Sequence, residues 1–212
     1  MVSRFPASDV QIGASTVTPS SKVRDLGVIL DATLSMEDHI TAVSRSAFAH
    51  LKVIARLHRT LSMKIRCMLI HSLVLSRILF CASIFYGITK VQIRRLQRIL
   101  NAASRLAASP EFRLLRADQF IQHRTVLFIR SILASGQPEY LAKHLHWYQP
   151  TRELRSSDQR LLRLISTRTQ MAQRAFRAFA PKLWNELDIE VREKILADAC
   201  DSSDVLFNYF YL

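Results

Sequence analysis

Residues 90–108 read KVQIRRLQRILNAASRLAA, and this stretch decides the fold class. Its apolar residues recur at steps of three and four, the spacing of one buried face of an α-helix. They are Ile93, Leu96, Leu100, Ala103 and Ala107. At about 100° per residue, Arg94, Arg98 and Arg105 fall within about 40° of one another on the opposite side. The stretch therefore predicts a helix that packs with one face and presents only positive charge on the other.

A second helix with the same two faces is predicted to begin near Met36. Ser35, followed three residues later by Asp38, resembles a capping box with Asp in place of Glu. The apolar stripe of this helix consists of Ile40, Val43, Ala47, Leu51 and Ile54. Its basic residues lie within about 60° of one another on the other side. They are Arg45, Lys52, Arg56 and Arg59.

The composition favours a folded, helical, basic protein. The chain has 212 residues, of which 49% are hydrophobic, and a formal net charge of +13. Only four Gly and six Pro are present, which is few for sandwiches, barrels or Gly-rich phosphate loops. The three cysteines form no C-x-x-C motif, so neither a disulfide framework nor a zinc knuckle is indicated, and a reducing compartment is expected.

The positive charge is concentrated in residues 36–110. This segment carries twelve basic side chains and two acidic ones, and no acid occurs between Asp38 and Glu111. Ordinary helix surfaces mix both signs, because oppositely charged pairs three or four residues apart are stabilising. An unmixed surface of this size is more typical of one that faces a polyanion than of a merely solvated face.

The long apolar run of residues 63–86 is predicted to be a core helix. Ser62 is its expected N-cap and Gly87 its expected C-cap. The run is long enough to span a membrane, but Arg77 lies near its centre, where a charge costs about 2.5–3.5 kcal/mol. A membrane-spanning segment is therefore not expected, and this run is predicted to form a compact helical bundle with the two helices described above.

Several segments of the sequence resemble the reverse transcriptases of non-LTR (LINE-type, L2/CR1-like and jockey-like) retrotransposons. The first group is STVTPSSKVRDLGVILDATLSMEDHI (15–40), RSAFAHLKVIARL (45–57), LVLSRILFCASIFYGI (73–88) and KVQIRRLQRILNAASRL (90–106). The second is YQPTRELRSSDQ (148–159), RAFRAFAPKLWNEL (174–187) and Val191-Arg192. Together they cover about two thirds of the chain, in the order of that family. Between the two groups, residues 110–135 depart from the family pattern, as does the tail after Arg192.

The resemblance implies a mainly α fold: a short N-terminal β-hairpin, a helical bundle resembling a polymerase thumb, and a looser helical C-terminal region. Four regions are expected: a remnant palm-end hairpin (1–34), the thumb-like bundle (35–109), a divergent helical connector (110–150) and a C-terminal region with an acidic, apolar tail (151–212). In the N-terminal region the segments 10–12 and 23–30 have β character and are predicted to pair with each other.

Polymerase chemistry is not expected of this sequence. It requires adjacent carboxylates that hold two divalent metal ions, and no Asp-Asp pair occurs; Asp25 and Asp31 are better explained as turn and cap residues. His144 and His146 have no Cys or carboxylate at ligand spacing, and neither a G-x-S-x-G elbow nor a Walker loop is present. We therefore predict no catalytic residue, no metal and no cofactor.

The function expected is that of a truncated reverse transcriptase fragment that still binds RNA or DNA without reading its sequence. The predicted contact residues are the seven cations on the two helices, Arg45, Lys52, Arg56, Arg59, Arg94, Arg98 and Arg105. One alternative is a non-catalytic helical protein–protein interaction module that self-associates through exposed apolar faces; another is a relic reading frame without selected function. No small-molecule substrate is expected. The first ten residues lack a secretory pattern, so a nuclear or cytoplasmic location is expected.

Overall fold

The computed structural model describes residues 9–107, 114–150 and 160–197. Within these residues the chain is mainly helical, with two small antiparallel strand pairs near the N-terminus, which confirms the fold class at this level. The strands are β1 (Val10–Ile12), β2 (Ser15–Val17), β3 (Lys22–Asp25) and β4 (Val28–Asp31). The longer helices are α1 (Glu37–Arg56), α2 (Met63–Ile70), α4 (Lys90–Ala107), α5 (Ala117–Ser135), α8 (Phe176–Asn185) and α9 (Ile189–Ala197). Single turns form α3 (Ser76–Leu79), α6 (Glu139–Ala142) and α7 (Gln170–Gln173).

The N-terminal strands form two hairpins, not the single hairpin that the sequence predicted. β1 pairs with β2, and β3 pairs with β4, each antiparallel. Two-residue turns join them: Gly13-Ala14 in the first hairpin and Leu26-Gly27 in the second. Leu26 and Gly27 both have positive φ, the conformation that matches the right-handed twist of flanking strands. The prediction was wrong because it treated residues 13–22 as one connection and overlooked the turn at Gly27.

Helix α1 begins near the predicted residue, but it has no capping box. The segment that leads into it is held by hydrogen bonds to Asp31. The carboxylate of Asp31 accepts hydrogen bonds from the backbone N–H groups of Thr33, Ser35 and Met36. The hydroxyl of Ser35 accepts from the N–H of Glu37, and Met36 takes a left-handed conformation at the N-cap. Asp38 instead forms an ion pair with Lys22, 2.8 Å apart. The entry to α1 is thereby tied to the second hairpin.

The apolar run of residues 63–86 is not one continuous helix. Ser62 caps α2 as predicted, accepting from the N–H of Ile65. A π-helical turn, His71–Leu75, then leads into α3. The helix ends at Phe80 and Cys81, which have non-helical conformations, and a 3-10 turn, Ala82–Phe85, follows. The exposed side of α3 carries Arg77. No helix among the described residues is long and apolar enough to cross a membrane.

Helices α4 and α5 agree well with the sequence. The predicted apolar stripes of α1 and α4 are buried, except that Ile93 is half-buried. Helix α5 begins at Ala117 and ends at Ser135, where Gly136 takes the left-handed conformation that commonly closes a helix. The predicted break at Ser109 and Pro110 lies outside the described residues.

Two clusters of buried side chains make up the core. The first extends from Val28 to Ile121 and fills the space between the second hairpin and the helices up to α5. The second extends from Val126 to Ile195 and is built on α5, α8 and α9. The C-terminal side chains Phe179, Leu183, Trp184 and Leu187 are buried in it, and Phe176 is half-buried. Pro181 is the sixth residue of α8, so the carbonyl of Arg177 lacks its usual N–H partner.

Candidate nucleic-acid interface

The basic face of α1 is exposed. Arg45, Lys52 and Arg56 lie on the helix itself, and Arg59 lies in the turn that follows, so the face ends in a segment that is no longer helical. The stripe opposite these residues is buried in the first core cluster. Burial of that stripe fixes the rotation of α1 about its axis and thereby directs the three helical cations to solvent.

Helix α4 presents its cations in the same way. Arg94, Arg98 and Arg105 are exposed, while Leu96, Leu100 and the two alanines of the seam are buried. In the described part of the chain, none of the seven predicted contact residues forms an ion pair or a side-chain hydrogen bond. Their charges are therefore available to an external partner.

Helices α1 and α4 pack together, and their first turns are joined by polar contacts. The buried amide of Gln92 donates from Nε2 to the carbonyl of Ser35, 2.9 Å away, and its Oε1 accepts from the N–H of Thr89. Arg95 extends sideways to Glu37, with Nη1 3.3 Å from Oε1, and donates to the hydroxyl of Thr41. Thr41 precedes Arg45 by one turn on the same side of α1. These contacts hold α4 beside the basic face of α1.

The two acids of the basic segment are both neutralised at this junction. Glu37 is paired with Arg95 and Asp38 with Lys22. Exposed pairs of this kind contribute little stability, about 0–1 kcal/mol, but they compensate the two acidic side chains that α1 and α4 themselves carry. The cations of these two helices therefore have no unpaired acid on either helix.

Lys90 is a further cation of this surface that was not among the seven residues predicted from the sequence. It is exposed, begins α4 and precedes Arg94 by four residues, so it extends the stripe of α4 by one turn. Lys90 also lines a groove of about 1200 Å³ between the N-terminal end of α4 and the C-terminal region. The four-residue spacing from Arg94 was the available signal, but the groove depends on chain segments that are far apart in sequence.

Two histidines are buried, and neither lies on the basic faces. Burial, with a smaller effect of Arg24, lowers the pKa of His39, whose ring stacks on Phe85 with centroids 5.7 Å apart. Burial, with a smaller effect of Arg124, lowers the pKa of His123 to about 4. Both rings are therefore neutral near pH 7. Among the described residues, no group of three or more His, Cys, Asp or Glu side chains is arranged to hold a metal ion.

Comparisons with known proteins give no family for this chain. No protein-family model matches it, and neither does any curated protein or solved structure.

Proposed function

We propose that this chain derives from a non-LTR retrotransposon reverse transcriptase and that it binds nucleic acid without catalysing a reaction. The order of the segments that resemble this family supports the retrotransposon origin. The absence of an Asp-Asp pair from the sequence supports the lack of polymerase chemistry. The proposed contact surface consists of the basic faces of α1 and α4.

The observation that carries this proposal is the set of seven exposed cations without acidic partners, six on two helices that pack together and one, Arg59, in the turn after α1. Phosphate groups are the natural counter-ions of such a surface, because each contact releases condensed cations from the nucleic acid. Contacts of this kind do not read base sequence. The binding is therefore expected to tolerate RNA, single-stranded DNA and RNA–DNA hybrids and to weaken steeply with salt.

The test is fluorescence anisotropy with labelled RNA, single-stranded DNA and a hybrid, titrated at increasing salt. The triple variant R94E/R98E/R105E is expected to weaken binding at about 0.1 M salt on the order of a hundredfold and to lower the salt slope by about three. The matched control is R77E/R124E/K194E, which changes the charge equally at exposed positions on other helices. Absence of binding at low salt, or equal losses in both variants, would contradict the proposal. Circular dichroism checks that both variants fold.

A protein–protein interaction module remains the second candidate, because apolar side chains are exposed around the turn between α1 and α2. They are Val53, Leu57, Met63, Ile65 and Met68, each at least 45% exposed. Exposed apolar clusters of this kind are typical of contact surfaces. Analytical ultracentrifugation distinguishes the candidates: a discrete oligomer that persists at high salt and dissociates in I65K/M68K favours association, whereas a monomer that binds RNA favours the first proposal.

A further inference from the structure

The groove at the N-terminal end of α4 joins parts of the chain that are distant in sequence. One wall is the segment from Tyr86 to Lys90, and the opposite wall comes from residues 164–182 of the C-terminal region. Arg174 crosses between them: its Nη2 donates to the carbonyl of Leu34, 2.8 Å away, and its side chain lies against Gly87. The groove therefore exists only where these distant segments pack against one another.

The charge in this groove is of one sign. Its described lining residues include Lys90, Arg174 and Lys182 and no Asp or Glu. Arg174 is half-buried and donates to Leu34, whereas Lys90 and Lys182 are exposed, so these two lysines are the more accessible cations of the groove. Two acids adjoin lining residues without lining the groove themselves: Asp31 accepts hydrogen bonds from Thr33, and Glu186 adds to the effect of burial in raising the pKa of Tyr86.

The groove also offers apolar and hydroxyl groups. Leu164, Ile165 and Met171 are between 42% and 60% exposed along one wall, and the threonines at 167 and 169 lie beside them. Cations, hydroxyls and exposed apolar side chains together suit a polynucleotide strand, whose phosphates pair with the cations while its bases cover the apolar wall. At about 1200 Å³ the groove exceeds the roughly 300–1000 Å³ of common small-molecule sites.

We infer that this groove binds a single-stranded extension of the nucleic acid held on the basic faces of α1 and α4. The inference rests on the proposed function, because Lys90 belongs both to the groove and to the stripe that continues through Arg94 and Arg98. A strand lying along α4 reaches the groove without leaving the line of positive charge. The unpaired part of that strand then lies against Leu164 and Met171.

The experiment compares a blunt RNA–DNA hybrid with the same hybrid carrying a short single-stranded extension. Wild-type protein is expected to bind the extended form several-fold more tightly. In K90Q/K182Q each lost phosphate contact costs about fivefold at 0.1 M salt for the extended form, since about 0.7 counter-ion is released per single-strand phosphate. The matched control K64Q/K194Q removes two exposed lysines on α2 and α9 and is expected to retain the gain from the extension.

The outcomes separate this inference from the proposed function. If the extension brings no gain, or if K90Q/K182Q weakens blunt and extended hybrids equally, the groove does not bind a single strand, although blunt binding still supports the basic faces. If the blunt hybrid does not bind at all, the basic faces of α1 and α4 do not hold a duplex, and that part of the proposed function fails. In that case, binding of an isolated single strand that is weakened by K90Q/K182Q and unchanged in K64Q/K194Q still supports the groove.

Discussion

Tyr86 and Phe179 stack with ring centroids 4.5 Å apart and an interplanar angle of 24°. Tyr86 is partly buried and packs against both buried clusters. Phe179 belongs to the second. The ring pair, together with helix α5, which contributes residues to both clusters, joins the first buried cluster to the second.

Replacement of Phe179 should therefore weaken this junction. In Phe179→Leu the apolar character remains but the stacked pair is lost, and we expect a loss of about 1–2 kcal/mol in the free energy of unfolding. Urea denaturation measures this loss. The control Phe48→Leu, at a site 43% exposed, should change stability by less than about 0.5 kcal/mol. Equal effects at both positions would contradict the role of the pair.

Gly87 and Gly13 have the same left-handed backbone conformation but different surroundings. Both have positive φ, but a Cβ at Gly87 would lie 2.8 Å from Cγ of Arg174, whereas a Cβ at Gly13 meets nothing within 4 Å. Gly13→Ala should cost about 1 kcal/mol from backbone strain alone. Gly87→Ala should cost more, because Arg174 must shift and weaken its bond to Leu34. Thermal unfolding of the two variants measures the difference; equal losses would show that Arg174 adapts freely.

Asp31 should make stability depend on acid. Burial opposes its ionisation, but hydrogen bonds from Thr33, Ser35 and Met36 outweigh burial and hold the pKa of the carboxyl below its usual 3.8. The unfolded chain therefore binds the proton first, so this contribution is present above about pH 4 and is lost as the pH falls further. Asp31→Asn should cost about 1–2 kcal/mol at neutral pH and less in acid. Asp25→Asn, at the exposed end of β3, is the control.

His123 should add a second pH dependence at a higher range. Its pKa is about 4 in the folded protein against 6.5 ordinarily, so folding keeps the ring neutral. As the pH falls from about 6.5 to about 4, the unfolded chain takes up the proton first, and stability decreases by up to about 3 kcal/mol. Urea midpoints across this range should vary less in His123→Gln than in the wild type. His58→Gln, at an exposed site, controls for loss of an imidazole.

The regular helices could be predicted from the sequence because their burial repeats with the helical period. The stripe from Leu96 to Ala107 is continuous, and a single buried face decides both the existence of α4 and the exposure of Arg98. The same reasoning placed Arg45 and Lys52 correctly on the exposed side of α1.

The remaining features depend on contacts that no local pattern encodes. The run before Gly87 is mostly apolar and shows no single stripe at the helical period, so its pattern could not reveal the π turn or the break at Cys81. The groove requires the C-terminal region to pack beside Lys90, and the bond from Arg174 to Leu34 spans 140 residues of sequence. Nucleic-acid binding by the basic faces and by the groove stays a prediction.

The two hairpins carry a consequence for how this protein behaves at high concentration. Every residue of β1, β2 and β3 is exposed, and among the described residues each sheet has only two strands, so their outer edges keep unpaired backbone groups. Such edges can be extended by a strand from another molecule. Association of this kind would proceed through backbone hydrogen bonds, so Lys or Pro substitutions on β1 should suppress it, whereas charge changes on the helices should not.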